Sequence, residues 1–339
     1  MKKIFKSLWP YLRVLLSLLL LWLAIRNIDW KTLTETNIAM QPAWLVLAWF
    51  MMTCANLMAT VRWAYLMRSV GLNQSWWTFI TLYFTGGLIN QGLPSTIGGD
   101  SYRVVEGSRA PRAASSPPLT SLSEELHTPI DLHQAPPRLR LGFLAVTLDR
   151  GLGLIGNNIL GALGLIAGGA MIGDWAQPLG GWALAAMLGG SALACTLLAF
   201  KKPTALIKKI MTKLGMPGAI AGLRMAFGWP ALVPQLALSV TTHTMATVAF
   251  LMCLRAFGTS VPFEALMIGL PALGLLMMLP ISISGWGLRE ATLSAVLTLW
   301  GVDAGVTVLA SVCFGLVSVV TYLPSAICLL KRRTSSVSH

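Results

Sequence analysis

Apolar runs long enough to cross about 30 Å of hydrocarbon recur at 12–27, 43–60, 142–170, 181–200, 230–256 and 305–330. Each predicts a membrane-spanning helix, because a helix satisfies its own backbone N–H and C=O groups where no water can. Two further regions, 76–105 and 263–300, are apolar but broken. Gly86, Gly87, Gly92, Pro94, Gly98 and Gly99 interrupt the first, and Pro271, Gly274, Pro280, Gly285 and Gly287 the second. A broken helix survives at membrane depth only beside protein or a wet cavity. Both regions are therefore predicted to fold back as hairpins lining a polar cavity, with turns at Pro94, Gly98 and Gly99 and at Pro280, Gly285 and Gly287. The predicted fold is an all-α polytopic integral membrane protein with about six full spans plus two broken or re-entrant hairpins.

The two breaks are alike. Leu93 to Arg103 and Leu279 to Arg289 align without gaps and share Leu, Pro, Ile, Gly and Arg at five of eleven positions. The basic residues constrain their topology. If each broken region enters and leaves on one side, the N-terminus, 61–75, 103–140, 201–229 and the C-terminus lie together and hold 20 of the 25 Lys and Arg. The opposite loops hold Arg26, Lys31 and Arg255, while Arg150 and Arg289 sit at membrane depth. A single crossing of 76–105 would set the Lys201–Lys213 loop opposite the Lys-rich N-terminus, against the positive-inside rule. A re-entrant hairpin and a close pair of crossings both satisfy this parity, and the short apolar arms favour the hairpin. The N- and C-termini are then cytoplasmic. The two hairpins open to opposite faces, as in an inverted repeat, and such repeats hold transporter sites at their interface.

Composition agrees with the pattern. Of 339 residues, 55% are hydrophobic and 11% charged, and the mean hydropathy is +0.70, outside the range of soluble domains. Lys2, Lys3 and Lys6 before an apolar run resemble a signal peptide, but Arg26 to Trp30 provide no small-residue cleavage site, so the run is read as a retained first span. Cys54, Cys195, Cys253, Cys313 and Cys328 fall in apolar runs and read as reduced packing residues. The net charge of +13 fits basic loops facing anionic headgroups rather than nucleic acid. Residues 107–140, with six prolines, read as a mostly disordered cytoplasmic loop inside a single domain of 1–335; tolerated insertion and partner-binding segment are both open.

Candidate chemistry lies in the few ionisable residues near membrane depth: Asp100, Arg103, Asp149, Arg150, His243, Arg289 and Glu290. Charges there are costly and mark function or a named partner. Asp100 and Arg103 end one hairpin and Arg289 and Glu290 the other, which suggests cross-pairing: Arg289 with Asp100 or Asp149, Glu290 with Arg103 or Arg150. A structural ion-pair network and a set of substrate contacts are both open readings. Arg103 has a third, snorkelling to the interface. His243 reads as a packed or hydrogen-bonded histidine rather than a proton relay. Trp76 and Trp77 read as interface anchors, and Arg62 with Trp63 as an anchor closing the second span. The half-helix N-termini of both hairpins should offer N–H groups to an anionic headgroup. No P-loop, nucleotide fingerprint or metal motif occurs, so no cofactor and no metal are expected.

Leu93-Pro94, Gly98-Gly99-Asp100 and Arg103, then Asp149-Arg150 with Gly153-Leu154, then Pro280, Ser282, Gly285, Gly287 and Arg289-Glu290 resemble the lysylphosphatidylglycerol synthase transmembrane-domain, or flippase-like domain, family over about residues 10–330. The resemblance implies a role in moving lipid between leaflets of the bacterial cytoplasmic membrane. It also implies that Asp100, Arg103, Asp149, Arg150, Arg289 and Glu290 are the functional polar residues. Family members that make aminoacylated lipids carry an additional soluble transferase domain, for which this chain has no counterpart after Lys331. The 107–140 stretch is longer than the connection usual in the family. The expected activity is translocation of a phospholipid, glycolipid or polyprenyl-linked lipid with an anionic headgroup. A membrane-embedded lipid-modifying transferase, or a subunit of one, is the alternative. A homo-oligomer or a partner lipid-synthesis enzyme are the protein partners considered.

Overall fold

The computed structural model describes Trp22 and residues 40–92, 97–109, 137–168, 177–199, 231–278 and 285–327. The rest of the first predicted span, most of the 107–140 loop, the 201–229 stretch, the C-terminal tail, Pro94 and Pro280 lie outside the described residues. All regular structure within them is helical. In chain order the elements are α1 Pro42–Ser69, α2 Trp76–Gly92, α3 Ile97–Ser108, α4 Pro137–Gly168, α5 Gln177–Ala199, α6 Leu232–Arg255, α7 Phe263–Leu276, α8 Leu288–Leu297 and α9 Ala304–Tyr322. Among the described residues four helices, Pro42–Ser69, Arg138–Gly168, Leu232–Arg255 and Ala304–Ile327, are long and apolar enough to cross a membrane. The protein is thus an α-helical polytopic membrane protein, as the hydrophobic pattern predicts.

Local chemistry sets the helix ends. Pro42 opens α1, where a missing N–H costs nothing. Asp303 caps α9 by accepting from the Val306 N–H at 2.9 Å. Gly71 follows α1 at φ +84° and Gly258 follows α6 at φ +72°, left-handed conformations that favour glycine.

Both broken regions are helical hairpins. In the first, Gly86 and Asn90 of α2 face Gly99 and Arg103 of α3; in the second, Gly269 of α7 faces Leu293 and Val296 of α8. The longest of these four arms, α2 at 17 residues, rises only about 25 Å. That is short of the hydrocarbon thickness, in keeping with the hairpin reading. A Cβ on Gly99 would overlap the Gly86 carbonyl oxygen, and one on Gly86 would lie 2.9 Å from the Gly99 oxygen. Glycine is required at this contact because the two backbones touch. Gly99→Leu should therefore destabilise the protein by about 1–3 kcal/mol or more through overpacking. Gly151 has open space around its Cβ position, and Gly151→Ala should add up to about 1 kcal/mol of helix stability. Thermal unfolding of both variants in detergent measures the contrast.

The packing repeats with inverted direction. The long helices α1 and α6 lie against each other antiparallel: the Gln41 N–H bonds the Ala256 oxygen at 2.9 Å, and far along the pair Arg62 bonds Ser239. Each is followed by its hairpin. α3 packs on α4 as α8 packs on α9; α4 packs on α6 and α7 as α9 packs on α1 and α2. Exchanging α1 with α6, α2 with α7, α3 with α8 and α4 with α9 reproduces these packings, and α5, against α4, stands outside the pattern. Each half also centres an apolar core, to which the long helix of the other half adds Ala48 and Met52 in one case and Leu232 in the other. Trp63, Met67, Phe79 and Leu152 centre one, and Phe250, Leu266, Leu293 and Ala310 the other. Because the equivalent helices α1 and α6 run in opposite directions, the axis relating the halves lies across the helices, which makes the repeat an inverted one.

Candidate headgroup site between the repeats

A chain of alternating charges runs through the junction of α1, α3 and α4. Arg62 on α1 donates from Nε to Asp149 Oδ1 at 2.8 Å and from Nη1 to Ser239 Oγ at 2.9 Å. Ser239 in turn donates to the Leu152 carbonyl. The other Asp149 oxygen accepts from Arg103 Nη2 at 2.7 Å. Arg103 leans on Asp100 at 3.4 Å. Asp100 receives a two-pronged pair from Arg150, Nε to Oδ2 at 2.7 Å and Nη2 to Oδ1 at 2.8 Å. The order is Arg62, Asp149, Arg103, Asp100, Arg150. Its deep end is buried, Arg62 and Arg103 being 4% exposed and Asp149 2%, whereas the Arg150 side chain is 50% exposed. The Arg103 guanidinium also lies 4.5 Å from the Trp63 ring centre and 4.4 Å from that of Tyr83, cation–π contacts that strengthen when desolvated.

Beside this chain is a cavity of about 250 Å³ whose lining includes Arg62, Tyr83, Asp149, Arg150, Asn157 and His243. Asn157 Nδ2 donates to the Pro271 carbonyl at 3.1 Å, an oxygen inside α7. His243 Nε2 lies 2.8 Å from the Gly153 carbonyl; a carbonyl only accepts, so this nitrogen carries the proton. The cavity therefore sits where α4 of one half crosses α6 and α7 of the other. The matching crossing of α9 with α1 and α2 is closed by Tyr322. Its hydroxyl donates to Asn56 Oδ1 at 2.7 Å, its ring meets Phe84 edge-on, and it fills the space left by Gly87.

The structure redistributes the residues singled out from sequence. Asp149 and Arg150 line the cavity, and Asp100 and Arg103 join them through ion pairs. Arg289 and Glu290 do not pair across to the first hairpin. Arg289 Nη2 donates to Glu290 Oε1 at 2.8 Å, Nε donates to Ser311 Oγ at 3.0 Å, and Ser311 donates to the same carboxylate at 2.9 Å. Neighbours on α8 reach each other without crossing the bundle, so the second hairpin's charges are neutralised within their own half. The half-helix ends are also occupied: Glu290 accepts the Gly287 N–H at 2.6 Å, and Asn90 accepts the Gly99 N–H at 2.8 Å. A side chain of the protein itself thus takes one N–H at each of the two helix starts expected to face an anion. Gly98 and Gly99 lie in the first turn of α3, while Gly285 and Gly287 both hold φ +80°, conformations other residues rarely adopt.

Arg62 and Trp63 are corrections too. They are buried at 4% and 0% exposure and anchor nothing at an interface, because α1 continues to Ser69 and carries both past the apolar run into the bundle. Arg103 is likewise buried rather than snorkelling. Without Arg62 and Arg103, the basic asymmetry between the two sides is still 18 to 3. His243 is hydrogen-bonded, as read, and lines the cavity. Trp76 and Trp77 are exposed, and Arg68 lies 4.0 Å over the Trp76 ring. Tyr83 was missed: a tyrosine in an apolar helix carries no periodic signal. For Arg62 the signal was present, since Ala64, Leu66 and Met67 continue the apolar pattern beyond it.

No curated protein matches the chain. The family model described as the lysylphosphatidylglycerol synthase TM region matches residues 11–326. A match over nearly the full length, on a helical frame that brings Asp100, Arg103, Asp149 and Arg150 into one ion-paired chain, places this protein in the lysylphosphatidylglycerol synthase transmembrane-region family.

Proposed function

We propose that the protein moves a lipid between the leaflets of a bacterial cytoplasmic membrane, its headgroup passing through the cavity between the inverted halves. The observation that carries this reading is the Arg62–Asp149–Arg103–Asp100–Arg150 chain beside a cavity among apolar helices. Charges at such depth cost several kcal/mol each, so a polar path opening onto a cavity suits a polar cargo. The family's lipid-related character points the same way, and inverted repeats support alternating exposure of a site at their interface. In this reading the N- and C-termini face the cytoplasm, with the basic loops against anionic headgroups.

Purified protein in liposomes is the test. It should speed the movement of an acyl-labelled phospholipid between leaflets, as read by a membrane-impermeant quencher, and leave the lipid's mass unchanged. A new lipid species formed by protein alone would establish the transferase reading. Quenching kinetics equal to those of protein-free vesicles would remove translocation.

A further inference from the structure

We infer that the cavity holds one singly charged phosphodiester group, on donors from Arg62, Arg150 and Tyr83, and that it selects lipids of net negative headgroup over zwitterionic and cationic ones. This rests on the translocation reading for the identity of the cargo, though the binding chemistry stands by itself.

Charge is the first argument. The chain Arg62, Asp149, Arg103, Asp100, Arg150 has three cations and two anions, an excess of one positive charge. Among the described residues that line the cavity the one further basic group is His243, an imidazole whose Nε2–H is spent on the Gly153 carbonyl, and no further carboxylate lines it. The second hairpin supplies no compensation, since Arg289 and Glu290 neutralise each other. An unbalanced cation among apolar helices calls for a counter-anion, and one phosphodiester charge balances it.

Unused donors are the second argument. Arg62 spends Nε on Asp149 and Nη1 on Ser239, leaving Nη2. Arg150 spends Nε and Nη2 on Asp100, leaving Nη1. Among the described residues the Tyr83 hydroxyl has no hydrogen-bond partner, yet it is not among the sealed, unsatisfied polar atoms, and neither is Arg62 Nη2. Both residues line the cavity, so these donors open onto it. Gly153 keeps the Arg62 fork uncovered: a Cβ there would lie 3.5 Å from Nη2, and a longer side chain would cover it. Two guanidinium groups and a phenol suit the several oxygens of a phosphate, which guanidinium forks bind with shape as well as charge. An ammonium headgroup meets the reverse situation. Both oxygens of Asp149 and both of Asp100 already accept from arginines, so an ammonium would meet carboxylates whose charge the guanidinium groups have already neutralised.

The test compares acyl-labelled phosphatidylglycerol, phosphatidylcholine and ethyl-phosphatidylcholine, a phosphotriester with no anionic oxygen, in proteoliposomes of parent, Arg150→Gln, Tyr83→Phe and Gly153→Leu. Arg255→Gln, at an exposed helix end, is the control. Soluble dioctanoyl phosphatidylglycerol is titrated into each protein in detergent. The parent should favour phosphatidylglycerol by about tenfold or more, the scale of a charge-assisted hydrogen bond. Arg150→Gln should erase the preference and the binding. Tyr83→Phe should weaken binding several-fold, and Gly153→Leu should block it with the five charges unchanged. Equal movement of all three lipids by the parent overturns the inference and leaves translocation standing. Saturable binding lost in Arg150→Gln and Gly153→Leu, with no movement of any lipid, keeps the subsite and overturns translocation. Unaltered selectivity in all three cavity variants, each folded, places the phosphate elsewhere.

Discussion

Asp149→Ala is expected to lower stability by about 3–5 kcal/mol, the usual cost of stripping the partner from a buried charge. The figure is at the high end for one substitution because a single carboxylate faces two guanidinium groups, Arg62 at 2.8 Å and Arg103 at 2.7 Å, all three residues being at most 4% exposed. Without it two like charges face each other with no carboxylate between them. Thermal unfolding in detergent should show a large fall in Tm and a lower yield of monodisperse protein. Asp149→Asn should fall between, its amide oxygen still accepting from one arginine. The combination Asp149→Leu, Arg62→Met and Arg103→Met should recover much of the loss, since apolar replacement of a whole buried ion set is often neutral or better. It should do so without restoring function. An Asp149→Ala protein that melts with the parent would show that these arginines are hydrated and the chain is not structural.

Glu290→Ala should be of similar size, for two separable reasons. The carboxylate is fully buried and is the counter-charge of Arg289. It also accepts the Gly287 N–H at the start of α8, where a lost cap costs about 1 kcal/mol. Glu290→Gln keeps an acceptor for Gly287 and discards the charge. The difference in Tm between the alanine and glutamine variants therefore reads the cap, and the fall in glutamine alone reads the ion pair. If both variants melted together, the Gly287 contact would carry no weight. Arg289 is also held over the Trp286 ring, 4.8 Å from its centre, so pair and aromatic contact together fix the mouth of the second hairpin.

How much of this was legible in one sequence differs by layer. Four of the spans were, because lipid imposes a long apolar run on every crossing helix, and runs at 43–60, 142–170, 230–256 and 305–330 became α1, α4, α6 and α9. The hairpins were legible as well, since Gly99 marks a backbone contact and Gly287 a left-handed turn, both nearly exclusive to glycine. Asp100, Arg103, Asp149 and Arg150 announced themselves as charges in apolar surroundings. Their partners did not. Cross-pairing between hairpins looked attractive because the motifs are symmetric, but symmetry of sequence leaves the shortest ion pair undetermined. Glu290 found Arg289 beside it, and Asp149 found Arg62, which lies 87 positions away in the chain.

The sequence by itself thus determined the membrane class, the helices, the two breaks and the presence of charge at depth. These follow from solvent and backbone rules that act on each segment alone. Only the tertiary structure decided which carboxylate neutralises which arginine, that one positive charge is left over, and that the crossing of α4 with α6 and α7 stays open. It also decided that Tyr322 fills the matching crossing. Those outcomes depend on distances between segments, and Coulomb and packing energies change over a few ångströms that no spacing along the chain records.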